Sequence, residues 1–112
     1  MIFNVFERLL LRNIVPQIER WNFDSMKAAR TLLENLFTEE EGEKLQITPN
    51  EDGKGVTWKV KDDDGNDIPQ EKEVKVSDGL TKKISAFLED LDKKERLSFE
   101  HYSLYEKFVG VK

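Results

Sequence analysis

The chain has 112 residues, 38% apolar and 37% charged, with a net charge of −5 and no cysteine. That length supports one hydrophobic core and a single domain over 1–112, and the missing thiols exclude disulfides, thiolate metal sites and cysteine catalysis and fit a cytoplasmic setting. Charge is uneven: residues 39–71 carry 11 acidic and 4 basic groups, and no run of Lys and Arg offers the cluster that a phosphate backbone rewards.

The opening stretch MIFNVFERLLLRNIV holds nine aliphatic or aromatic residues between Ile2 and Val15. Glu7, Arg8 and Arg12 interrupt it too often for a signal or membrane segment, so it predicts a buried helix. Its apolar stripe is wider than one face of a small domain covers, which predicts a homo-oligomer or a docked partner, with Phe3, Phe6 and Leu10 as contact candidates. Pro16 removes a backbone donor and should end or kink the helix near 13–15, with 17–21 as a short continuation. Asp24 or Ser25 can cap a second helix whose Met26, Ala29, Leu32, Leu33, Leu36 and Phe37 repeat at helical spacing, fraying through TEEEGE with Gly42 as its stop.

The period then changes. Val56, Trp58 and Val60 alternate with polar residues, as in a half-buried strand. The segment KDDDGND, residues 61–67, raises a cation site. Placing Gly65 at position 6 of a calcium-binding helix–loop–helix template puts Asp62, Asp64 and Glu71 at ligand positions, but Val60 falls at the first one and the flanks read as strand. No metal or other cofactor is therefore expected, and Asp62, Asp64 and Glu71 are the residues such a site would use. Asp, Gly and Asn are instead turn formers, and parity favours a three-residue loop Asp63-Asp64-Gly65 with Gly65 left-handed and Val60 opposite Ile68.

After SDG the helical period returns. Leu80, Ile84, Phe87, Leu88 and Leu91 share a face, with Ser77 or Asp78 as the cap. Ser98 precedes a shorter helix in which Leu104, Tyr105 and Phe108 share a face and Gly110 is the stop. Tyr102 and Tyr105 are amphipathic rings of the kind that anchor interfaces. His101 is the only histidine, which rules out a multi-histidine metal centre, and no phosphate-binding glycine loop or nucleophile elbow occurs.

The fold class expected is α+β: two N-terminal helices, a small antiparallel β-hairpin or three-stranded meander, and two C-terminal helices. A winged helix-turn-helix DNA-binding regulator is the alternative arrangement, against which the acidic third falls where a basic wing should be. At ERLLLRNIVP (7–16) and LYEKFVG (104–110), with the acidic EEE run and a strand tryptophan between them, the chain resembles a set of small bacteriophage and prophage proteins of uncharacterised function. The resemblance implies a phage-type origin and no particular activity. The function expected is that of a non-enzymatic accessory protein acting by protein–protein contact or self-association. Neither nucleic acid nor membrane is an expected partner.

Overall fold

A computed structural model describes residues 1–51, 53 and 55–110. Asn4 sets the start of the first helix: its Oδ1 accepts the Glu7 N–H at 2.7 Å and Glu7 Oε1 accepts the Asn4 N–H at 2.9 Å. This reciprocal box fixes helix α1 at Val5–Ile14. The residues before the cap are consequently extended, and Ile2–Phe3 form strand β1 rather than the helical turn expected from their hydrophobicity. Pro16 ends α1 as anticipated, in a single 3-10 turn at Val15–Gln17 that does not extend to Trp21.

Two further boxes follow the same logic. Asn22, not Asp24 or Ser25, caps helix α2 at Phe23–Asn35, with Ser25 returning the hydrogen bond. Thr38 and Glu41 cap helix α3 at Glu39–Leu45, where fraying was expected. Three glutamates in its first turn face the positive end of the helix dipole, Lys44 pairs with Glu40 at 3.1 Å, and the chain leaves through a left-handed Gln46. Gly42 therefore lies inside a helix and is not a stop.

The β structure is sparse. Strand β2 (Thr48–Pro49) pairs antiparallel with β3 (Val56–Thr57), and β1 pairs antiparallel with β4 (Lys72–Glu73), Ile2 opposite Glu73 and Phe3 opposite Lys72. The two ends of the chain's first two-thirds are thus sewn together across about seventy residues. The expected half-buried strand through Val56, Trp58 and Val60 is absent as a unit: Val56 and Val60 are exposed and only Trp58 packs inward. The hairpin tip does take the expected register. Lys61 bridges Asp67, the Ile68 N–H donates to the Val60 carbonyl at 2.9 Å, and Gly65 sits at φ +82°.

Helix α4 (Asp78–Lys93) starts at Ser77 and buries Leu80, Ile84 and Leu88. A 3-10 turn at Phe99–His101 leads into helix α5 (Tyr102–Phe108), which returns across α4, Ser85 Oγ donating to the Phe108 carbonyl at 2.8 Å. The main core gathers Phe3, Leu11, Leu36, Ile84, Leu88 and Leu104 from five elements or their ends, with Phe3 stacked on Phe108 at 5.9 Å. A smaller core under the acidic loops joins Val5, Leu45 and Ile68 to Trp58 and Ile47. Phe37 touches both.

Candidate interaction surface

The opening segment spends its apolar side chains inside the chain. Phe3 and Leu10, named as contact candidates, are buried, as are Val5, Leu11, Ile14 and Val15. Their enclosure comes from β1 pairing and from α5 closing over Phe3, neither of which the width of the stripe foretells. The surplus apolar surface expected there is reduced to Met1, Ile2 and Phe6, so this segment supplies no argument for a second copy.

The largest exposed aromatic surface lies at the other end. Phe99 is 98% exposed and Tyr102 66% exposed, and with Tyr105 they line an open cleft of ≈ 500 Å³ whose polar edge is Asp92, His101 and Glu106. Serine caps and a turn place these groups: Ser98 begins the 3-10 turn, so Phe99 falls one residue outside the Leu104–Phe108 face and projects to solvent. The sequence carries that offset as an apolar residue off the helical stripe. Tyr105 Oη donates to Asp92 Oδ2 at 3.2 Å, tying α5 to the end of α4. Desolvation of the ring, then the nearby Asp92 and Glu89 carboxylates, raise the Tyr105 phenol above its usual 10.

Ser98, His101 and Asp92 line this cleft together, which invites comparison with a hydrolytic triad. The hydrogen bonds run differently. His101 Nδ1 accepts the Ser98 N–H at 3.0 Å and lies 3.1 Å from Ser98 Oγ, a cap closed within four residues, while Asp92 takes the Tyr105 hydroxyl. The arrangement holds a turn.

A second open cleft, ≈ 340 Å³, is lined by Phe6, Leu9, Leu10, Val56, Trp58 and Glu100. Glu100 in its lining follows directly in sequence on Phe99 of the first. Of the five contact candidates, Phe6 and Leu10 therefore border one cleft and Tyr102 and Tyr105 the other, while Phe3 belongs to the core.

The acidic hairpin does not assemble a cation site. Asp62 Oδ1 accepts the N–H groups of Asp64 and Asn66, both at 2.9 Å, so it closes the turn. Among the described residues no group of three or more His, Asp or Glu side chains converges, and Glu71 does not join Asp62 and Asp64. Also among them, no helix is long and apolar enough to cross a membrane.

Two charged clusters went unread in the sequence. Arg8 is fully buried, its Nη1 donating to the Leu36 carbonyl at 2.8 Å and to Glu41 Oε2 at 2.7 Å, its Nη2 to the Gln70 carbonyl at 3.0 Å, and its guanidinium lying 4.5 Å from the Phe37 ring centre. Glu41 also receives Lys72 at 2.9 Å. Burial pushes the Glu41 carboxyl up, but the hydrogen bonds from Arg8, Lys72 and Thr38 and the Arg8 charge hold it down at about 2. Glu7 is likewise buried, and burial raises its carboxyl. Lys107 at 2.7 Å, the Asn4 N–H and the nearby Ser103 hydroxyl outweigh that and lower it below 4.5. Single charged residues in an apolar run are usual at a helix surface, and nothing in spacing tells a buried one from an exposed one.

Comparison with protein-family models, curated proteins and solved structures finds no match.

Proposed function

We propose that the protein is a phage-type accessory protein that works without catalysis, by holding another protein against the Phe99–Tyr102–Tyr105 surface. The observation that carries this reading is Phe99, a large aromatic side chain left 98% in water beside an open cleft. Helix α5 turns Leu104 and Phe108 inward, while Tyr102 on it and Phe99 in the turn before it stay out. Exposed aromatics next to a cleft are the usual composition of interface centres. A second cleft at Phe6 and Val56 has Glu100, the residue after Phe99, in its lining. The two stretches that carry the phage resemblance meet in space, Glu7 on Lys107, so they support the scaffold that presents α5.

The DNA-binding alternative draws less support. On α2, Arg30 is paired with Glu34 at 3.1 Å, Lys27 lies over the Phe23 ring, and the hairpin in the wing position presents Asp62, Asp63, Asp64 and Asp67.

A photoreactive phenylalanine analogue in place of Tyr102, in the cells that carry the gene, is expected to give one discrete higher-mass adduct. Adding Phe99→Ser should abolish it, and the same analogue at Arg30, which lines neither cleft, should give none. No adduct at position 102, or equal yields at both positions, would refute the contact surface.

A further inference from the structure

The cleft beside α5 combines ring faces with negative charge. Phe99, Tyr102 and Tyr105 supply the aromatic part, Asp92 and Glu106 the carboxylates, and no lysine or arginine is among the described residues that line it. Some surface acids are held in ion pairs, Glu34 by Arg30, Glu40 by Lys44 and Asp90 by Lys94. Among the described residues neither Asp92 nor Glu106 has an ion-pair partner, and Asp92 is engaged only through Oδ2 by a neutral phenol. Among the described residues, the lining thus carries two carboxylates and no arginine or lysine beside the exposed aromatic rings.

We infer that the cleft receives an arginine side chain presented by a partner protein. A guanidinium is flat, stacks on an aromatic face and still forks to a carboxylate at its edge, so it uses both halves of the lining at once. A lysine ammonium is a more strongly hydrated point charge and uses the ring faces less well. At ≈ 500 Å³ the cleft has room for the guanidinium and for apolar neighbours on the same segment against Phe99. This rests on the proposed contact surface and specifies what it selects.

The test uses the full chain and two labelled hexapeptides, one alternating leucine and arginine, the other with citrulline in every arginine position. Citrulline keeps the shape and removes the charge. Fluorescence anisotropy at low salt should show saturable binding of the arginine peptide and roughly tenfold weaker binding of its counterpart, the combined size of one exposed cation–π contact and one or two exposed ion pairs. The double variant Asp92→Asn, Glu106→Gln, which keeps an acceptor for Tyr105, should bind both peptides at the weaker level with an unchanged melting temperature. Equal binding of the two peptides by the unmodified chain, or binding of neither, would overturn the cationic selectivity. So would sedimentation showing a dimer that Tyr102→Ala dissolves, because the occupant would then be a second copy. A discrete adduct at position 102, read separately, leaves the contact surface standing when the arginine preference fails.

Discussion

Arg8 joins three separate parts of the chain through one side chain. One guanidinium serves the carbonyl that ends α2, the carbonyl of Gln70 in the loop before β4, and the carboxylate at the start of α3. A fully buried cation is tolerated only while those acceptors surround it, and its Nε has no partner among the described residues. Arg8→Ala should cost about 3–5 kcal/mol in denaturant unfolding, since it removes the donor to Glu41 Oε2 and to two carbonyls and leaves a cavity where the guanidinium was. Arg8→Lys keeps the charge but cannot reach acceptors in three directions from one ammonium, and should still lose about 1–3 kcal/mol. A lysine variant as stable as the parent would show that the charge matters and the fork does not. Phe99→Ser, with almost no area to lose, should stay within about 0.5 kcal/mol of the parent.

At the scale of elements, what could be read from the chain is what local chemistry decides. The periodic faces of α4 and α5, the Pro16 break and the Asp63–Gly65 turn all depend on neighbours within a few residues, and they stand where the spacing put them. The misreadings share a cause as well. Ile2–Phe3 and Glu39–Leu45 were assigned by hydrophobicity and charge, whereas the boxes Asn4–Glu7 and Thr38–Glu41 decide them. The signature of a polar cap followed three residues later by Glu was present at both places. The strand reading of Val56–Val60 failed differently: its partner, β2, offers two residues only, so the alternation lost its second strand. Thr38→Ala tests the weight of one box. It removes the acceptor of the Glu41 N–H at 3.1 Å and should cost about 1 kcal/mol, with faster amide exchange concentrated in residues 39–45. Uniform acceleration across α4 as well would mean that α3 has no separate stability.

Across the whole molecule, the two cores are held together by charge as well as by Phe37. Arg8 from α1, Glu41 from α3 and Lys72 from β4 meet at 2.7 and 2.9 Å, and Glu7 with Lys107 clasps α1 to α5. None of these long-range pairs is legible in the sequence, because each joins residues at least thirty positions apart. They make stability depend on pH in a definite direction. Both carboxyls titrate below 4.5 in the folded chain, Glu41 near 2, so folding favours their ionised forms. The stabilisation is complete above about pH 4.5 and is lost as pH falls toward 2, where the folded form also takes up the proton; for Glu41, whose side chain is 26% exposed, it amounts to on the order of 2–3 kcal/mol. Glu41→Gln should therefore be less stable than the parent at pH 7 yet lose less between pH 4.5 and 2, so that the two curves of unfolding free energy against pH converge in acid. Chemical denaturation at half-unit pH intervals measures this directly. Curves that stay parallel through that interval would place the acid sensitivity on other carboxylates and remove Glu41 as the junction between the two cores.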